Sequence, residues 1–478
     1  MPSSNEDGLA YILFTSGSTG QPKGAMIDRA ALNNHLVEKI NALALTRTDC
    51  IAQTASHCFD ISLWQLLAGL CVGESFHRLC VRRRAASAGD APSSHTGSAF
   101  MLTTSAAPRV CLPQLSPTGS DVRPYAAVMN FIEGARIVTE DELQANDITH
   151  YHVSKFYREQ ISASGYYDQL KHIVEPSLAE FDSRGRLDTS GEHDNTVVPG
   201  LQHKYSQTGL LLVTDRCASY CRYCFRKRIV GKDSDEIAPD LACVAQYIGA
   251  HPEMTNVLLS GGDPFVLSTS KLDKIADHLL PIPHLTSIRF GTKTVAFAPR
   301  RFEDPALAAL FQRIQDAGKT AVIVVHFDHI GEISVDAERN IRSLRALGVQ
   351  FLNQSVLLSR VNDDPDVLAA TFAKCHEMGV RPYYLFQGRP VKGASHFQVS
   401  LRRGIEIARG INQRLSGIQK TFKYIMSHYT GKIEILDLGA DGRVYMRYHQ
   451  NKTPAKIGKI FSRPHVGGAC WLDDLPEA

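Results

Sequence analysis

At 478 residues the chain is too long for one ordinary domain, and 44% apolar residues are ample for a sizeable core. A formal net charge of +3 gives no general pull toward nucleic acid or an anionic membrane surface, and no charge-free apolar run is long enough to span a bilayer. The opening MPSSNEDGLAYILFTSGSTG lacks the basic-then-apolar layout of a secretion signal, so a cytoplasmic setting is expected, where the 11 cysteines serve as free thiols or metal ligands.

Composition divides the chain. Residues 1–80 look globular, with GLAYILFTSG reading as a strand and then a Gly/Ser-rich loop. Residues 81–125 are rich in Ala, Ser, Gly, Thr and Pro without a sustained period, the composition of a linker or junction. From about 126 the chain is globular again. Apolar runs at 209–214, 256–260, 287–291, 320–327, 349–358 and 381–387 alternate with helical stretches such as PALAALFQRIQDAG and SVDAERNIRSLRALG. Strands spaced by helices predict an α/β fold of parallel βαβ units with right-handed crossovers, best met by a closed or partly closed barrel. In such barrels the chemistry sits at the C-terminal ends of the strands.

DRCASYCRYCFRKR (215–228) follows the first of these runs. Four cysteines would saturate a zinc ion or an iron–sulfur cluster. Three on a cubane leave one iron open for a small molecule to chelate. The alternatives for Cys217, Cys221 and Cys224 are a zinc site completed by a histidine, or unrelated core cysteines. The second run ends in LLSGGDPF (258–265), where Gly261 and Gly262 let backbone approach a ligand closely and Asp263 can accept from an ammonium.

The cysteine spacing after the first strand of an α/β series resembles the radical S-adenosylmethionine (SAM) superfamily. The resemblance implies that Cys217, Cys221 and Cys224 hold a 4Fe–4S cluster, that SAM chelates its fourth iron, and that one electron cleaves SAM to a 5′-deoxyadenosyl radical. It also implies that the Gly-Gly-Asp stretch contacts the SAM amino group. PGLQHKYSQTGLLLVTDRCASYCRYCFRKR (199–228), HFDHIGEIS (326–334), LNQSVLLSRVNDD (352–364), RPYYLFQ (381–387) and HFQVSLRRGIEI (396–407) together resemble the lysine 2,3-aminomutase family over about residues 126–478. That resemblance implies a helical extension over 126–206, a partial (β/α)6 barrel over 207–415 and a C-terminal segment over 416–478. His326 and Gln354 would help bind SAM, and Arg226 would pair with the substrate α-carboxylate. An electron donor such as flavodoxin or ferredoxin and a homo-oligomer are further implications.

The family also uses pyridoxal 5′-phosphate (PLP), carried on a lysine near the C-terminus. TFKYIMSHYTGKIEILDL (421–438) places Lys432 there, with Gly431 freeing the backbone before it and KIEILDL reading as a strand. Lys204 in HKYSQ would meet the PLP phosphate, while Thr208 stands where another basic residue is expected. The implied reaction moves an amino group from Cα to Cβ, turning an α-amino acid into a β-amino acid. Where lysine-specific members hold the distal ammonium with two aspartates, this chain has Arg389 and Ile425. A guanidinium repels an ammonium, so lysine is not the expected substrate; Arg389, with Lys392, suits an anionic side chain such as glutamate. The family's C-terminal zinc-binding cysteines are missing; only Cys470 lies near the end. Cys243 and Cys375 fall on helices and are expected to be buried.

LAYILFTSGSTGQPKGAMIDRAAL (9–32) resembles the phosphate loop of adenylate-forming enzymes, with Lys23 adding charge, and HCFDISLWQLLAGLCVGE (57–74) resembles a motif of nonribosomal peptide synthetase adenylation domains, in which Asp60 would bind an amino group. Later core motifs have no room before residue 126, so this part reads as a truncated, inactive fragment. The rival functions are amino-acid adenylation by the N-terminal segment, a radical reaction without PLP, and a non-catalytic metal-binding module.

Overall fold

The computed structural model describes residues 9–16, 22–42 and 150–477. The chain divides into two units, Met1–Thr139 and Glu140–Ala478. In the first, strands β1 (Leu9–Ser16) and β2 (Pro22–Asp28) pair antiparallel and lead into a helix over Arg29–Ala42. The strand expected from GLAYILFTSG is β1, and Lys23 stands on β2. Most of the Gly/Ser-rich loop, Asp60 and the junction at 81–125 lie outside the described residues.

The second unit is organised by one 12-stranded sheet. Strands β3 (Thr196–Val198), β4 (Leu201–Tyr205) and β5 (Thr208–Thr214) pair antiparallel at one side. From β5 the sheet runs parallel through β6 (Asn256–Gly261), β7 (Ser287–Thr292), β8 (Thr320–Val325), β9 (Gln350–Leu357), β10 (Arg381–Gln387) and β11 (Lys423–His428). Strands β12 (Gly431–Leu438), β13 (Arg443–Asn451) and β14 (Ile460–Pro464) continue it antiparallel. The six apolar runs read from the sequence are β5 to β10. Parallel neighbours in chain order, each pair bridged by a crossover, send every loop that follows a strand out at the same end of the sheet.

Local chemistry explains the crossovers. The helix Pro305–Asp316 starts where Asp304 accepts from the Ala306 N–H and Pro305 fills the first turn, and it buries Leu307, Leu310, Phe311 and Ile314, an i, i+3, i+4, i+7 stripe. Ser334 caps the helix Val335–Ala346 in the same way. Strand β8, TAVIVV, is buried on both faces, as a central parallel strand must be. Phe265, Phe290, Phe302 and Phe311 interlock beneath the sheet, with ring centroids 4.7 to 6.4 Å apart. Cys375 is buried as expected. Cys243 is exposed, because the inward stripe of its helix, Leu241–Gly249, passes through Val244 and Ile248 and leaves position 243 facing solvent.

The cysteine loop after β5 has no regular secondary structure, and ion pairs hold it. Arg222 grips the fully buried Glu180 with two hydrogen bonds, at 2.8 and 2.7 Å, and Lys227 reaches the same carboxylate at 2.9 Å. Arg226 and Arg228 share the buried Glu192 at 2.7 and 2.6 Å, and Arg228 also pairs with Glu236. The basic run that follows the cysteines is therefore matched by acids from the preceding segment. Glu180 does not line the cavity described below. Substituting Glu180→Gln removes the carboxylate that two buried cations share and is expected to cost about 3–5 kcal/mol of stability, measured by chemical denaturation; a change below about 1 kcal/mol would mean that the loop is held by other contacts.

Candidate active site

A cavity of about 300 Å³ opens where the parallel strands end. Cys217, Cys221 and Cys224 line it from the loop after β5, Gly261, Gly262 and Asp263 from β6 and its loop, His326 from just beyond β8, Gln354 from β9, Arg389 from beyond β10, and Lys432 from β12. Residues from the length of the unit thus converge on one space, which also receives Arg226 and Lys204.

The three cysteines are free thiols. Burial pushes each of them above the usual thiol range, so they stay protonated until a bound metal group stabilises their thiolates. Three thiols from one loop leave a metal group one position short of four, which fits a cluster with an open corner as well as a zinc ion completed by another residue. A Cβ on Gly261 would strike the Thr214 carbonyl oxygen, and one on Gly262 the Arg216 carbonyl oxygen. Both glycines are needed for the β6 loop to lie against the start of the cysteine loop.

Asp263 differs from expectation. Its carboxylate accepts from the Phe265 N–H at 3.0 Å, the Thr292 hydroxyl at 2.8 Å, the Lys293 N–H at 2.7 Å and the Thr294 N–H at 2.9 Å. Those donors fill its acceptor positions, and Asp263 ties the ends of β6 and β7 together instead of awaiting an ammonium. Arg226 likewise has a partner in Glu192 and donates to the Ser260 hydroxyl at 2.7 Å. Arg226 and Glu192 are both buried, and the guanidinium is held at a fixed orientation beside the cavity. His326 is hydrogen-bonded to the Gln354 amide, and desolvation drops its imidazole to about 4, so it is neutral at physiological pH. Behind it the buried ammonium of Lys293 pairs with Asp328 and Glu332, each at 2.8 Å.

Lys432 stands apart from these paired groups. Its Nζ lies 4.7 Å from the Tyr384 ring centroid and 6.0 Å from that of Phe386, and among the described residues no carboxylate is within ion-pair reach. Desolvation, then the charges of Arg289, Arg389 and Lys204, push its amine down to about 7. Lys204 donates to the carbonyl oxygens of Ser190 and His428 at 3.1 and 3.0 Å, and burial lowers it to about 8. Arg289 lines the cavity and donates to the Asn256 side-chain carbonyl at 2.9 Å, its one hydrogen-bond partner among the described residues. The sequence reading passed over Arg289, although a lone arginine inside the alternating run SIRFG was a signal of an inward-facing charge. Arg389 lies 3.9 Å from the Phe225 ring centroid and donates to the hydroxyls of Ser190 and Ser427. Burial lowers it to about 10, and no described carboxylate pairs with it. Ile425 is buried but does not reach the cavity; two residues on, Ser427 does, and Lys392 is exposed away from it.

An amine at about 7 is largely a free nucleophile at pH 8 and is quenched below pH 6. Capture of PLP is accordingly expected to rise with a midpoint near pH 7 and to vanish in Lys432→Ala, followed by absorbance of the lysine-bound cofactor. A midpoint above 9 would place Lys432 in a solvated environment.

The chain is similar in sequence to several known proteins. A protein of Aquifex aeolicus that carries the name of an L-lysine 2,3-aminomutase is 37% identical over 358 residues, covering 74% of this chain and 95% of its own length. An L-lysine 2,3-aminomutase of Fusobacterium nucleatum is 36% identical over 48% of this chain and 53% of its own, and a glutamate 2,3-aminomutase of Clostridioides difficile is 31% identical over 56% and 62%. Residues 1–88 match the family of AMP-binding enzymes. A radical SAM methyltransferase structure from Sphaerobacter thermophilus aligns with a TM-score of 0.32, at 16% identity over 47% of this chain and 68% of that chain, a likeness too slight to bear on the fold. The cysteine trio, the convergence of strand ends and the near-complete coverage of a relative place the second unit's sequence plainly: the chain belongs to the lysine 2,3-aminomutase family of radical SAM enzymes.

Proposed function

We propose that this enzyme is a 2,3-aminomutase acting on an amino acid with an anionic side chain, glutamate being the simplest, and not on lysine. The observation that carries the reading is Arg389: a guanidinium in the cavity with Lys432, held by two serine hydroxyls and without a paired carboxylate among the described residues. An incoming carboxylate would complete it through a charge-assisted, two-pronged hydrogen bond. A lysine ammonium there would meet a like charge in a poorly solvated space.

As a member of its family the chain is an isomerase that works with a 4Fe–4S cluster, SAM and PLP on a small amino acid. When bound, these groups supply radical hydrogen abstraction and a carrier for the migrating nitrogen. The residues fit them. Cys217, Cys221 and Cys224 would hold the cluster. Gly261 and Gly262 would present backbone to SAM, His326 would offer a neutral imidazole beside it, and Gln354 would fix that ring. Lys432 would carry PLP, and Lys204 with Arg289, cations without counter-charges in the described residues, would take its phosphate. Arg226, oriented by Glu192, would offer its one remaining N–H to the α-carboxylate. Tyr384 and Phe386 keep water from the Lys432 amine. The parallel strands β5 to β10 would form the partial (β/α)6 barrel around this space, with 126–206 and 416–478 as flanking segments. An external one-electron donor of the flavodoxin or ferredoxin kind, a cytoplasmic site and self-association complete the proposal.

A second reading rests on a separate observation, the match of residues 1–88 to AMP-binding enzymes. It assigns amino-acid activation to that segment, and ATP–pyrophosphate exchange by the full chain decides it. Exchange at background level leaves the segment without that activity.

The test of the main reading is turnover by anaerobically reconstituted enzyme with reductant, SAM and PLP. β-Glutamate is expected from glutamate, and β-lysine without β-glutamate would reverse the assignment. Arg389→Met is expected to lower kcat/KM for glutamate by roughly a hundredfold, as loss of one partner in a desolvated charge pair does, while reductive SAM cleavage without substrate is unchanged.

A further inference from the structure

Outside the cavity, His203, His251 and Glu253 bring one ligand atom each to within 4.8 Å of one another. His203 is the middle residue of β4, whose neighbours Gln202 and Lys204 both line the cavity while His203 does not. It therefore projects from the opposite face of the strand. His251 and Glu253 follow the C-terminus of the helix Leu241–Gly249, the end that favours positive charge.

The orientation of the two imidazoles gives the cluster its meaning. His251 holds its Nδ1 against the Tyr247 carbonyl oxygen at 2.7 Å, which makes that nitrogen the N–H and leaves Nε2 as a bare lone pair without a hydrogen-bond partner among the described residues. His203 holds its Nε2 against the Ser206 carbonyl oxygen at 3.1 Å, and its Nδ1 lone pair points to the Tyr247 hydroxyl at 3.1 Å. His251 thus has a carbonyl behind one nitrogen and an open lone pair on the other, the arrangement that orients histidines toward a metal, while His203 has the same carbonyl support and a lone pair occupied by the Tyr247 hydroxyl, which an incoming ion would displace. The rings meet edge to face at 5.5 Å, and Tyr247 stacks on His251 at 3.9 Å, which fixes both.

We infer that His203, His251 and Glu253 form a site for one divalent ion of the zinc class, separate from the cysteine trio. Two imidazoles and a carboxylate select a borderline ion over calcium or magnesium, and the exposed side of Glu253 leaves a fourth position for water. The ion clamps β4 to the helix packed beside it and so steadies the strand that carries Lys204.

The test uses the full chain with its cluster reconstituted, so that the cysteines are occupied and iron content is checked throughout. After equilibrium dialysis against micromolar Zn²⁺, one zinc per chain beyond the cluster iron is expected. The double variant His203→Asn, His251→Asn should lose that zinc while keeping its iron and its circular dichroism. Glu253→Gln should weaken zinc binding at least tenfold. Failure of the reconstituted protein to retain zinc, or retention by the double variant equal to that of the parent, would overturn the site.

Discussion

Four cations share one cavity and none has a carboxylate within ion-pair reach among the described residues: Lys204, Arg289, Arg389 and Lys432. Like charges gathered in a desolvated space are costly, and the protein meets that cost unevenly. Lys432 yields its proton, its amine falling to about 7, and Lys204 follows to about 8. The arginines cannot yield in the same way. The arrangement makes chemical sense when anions enter: a phosphate beside Lys204 and Arg289, and a carboxylate at Arg389. The lowered amine of Lys432 follows first from desolvation and then from its cationic neighbours, and the proposed preference for an anionic substrate rests on the same shortage of built-in negative charge.

The cysteine side of the cavity obeys the opposite rule. Arg222 and Lys227 share Glu180, Arg226 and Arg228 share Glu192, and Lys293 has both Asp328 and Glu332. Each buried cation is matched, which is what a loop without secondary structure requires if it is to hold three thiols at fixed positions. Arg226 stands at the boundary: its charge bears on Cys224 on one side and on Arg389 on the other. Balanced charge fixes the cysteine loop, while the charge on the far side of the cavity has no carboxylate partner among the described residues.

Much of this was legible in the sequence because parallel strands announce themselves. Runs such as TAVIVV and GLLLVT must be apolar on both faces, and a cysteine loop directly after the first of them has only one end of the sheet to occupy. Lys432 was placed by the resemblance of TFKYIMSHYTGKIEILDL to the family's PLP-lysine stretch, not by any local signal, and it stands on β12. What escaped were partners distant in the chain. Nothing local marks Glu180 or Glu192 as counter-ions of the cysteine loop, since the pairing depends on a fold that brings residues 34 to 47 positions apart together. Asp263 was taken for a ligand-facing acid because Gly-Gly-Asp is written like a binding turn, but three backbone N–H groups and a hydroxyl had first claim on it. Cys243 was read as buried from its helix alone, without regard to which stripe faced inward.

The same chain supplies the comparison that gives Arg389 its weight. Where this protein uses a buried arginine for structure, it provides a carboxylate: Glu180 for Arg222, Glu192 for Arg226 and Arg228. Arg389 receives instead two serine hydroxyls and the face of Phe225. Hydroxyls accept hydrogen bonds and so fix the plane of the guanidinium, and an aromatic face supports it, but neither neutralises it. Ser190 and Ser427 are contributed by segments more than two hundred residues apart, so the tether is a feature of the assembled fold and not of one loop. An arginine that is oriented yet left charged, in the space that Lys432 enters, is the ground for proposing a substrate that brings its own carboxylate.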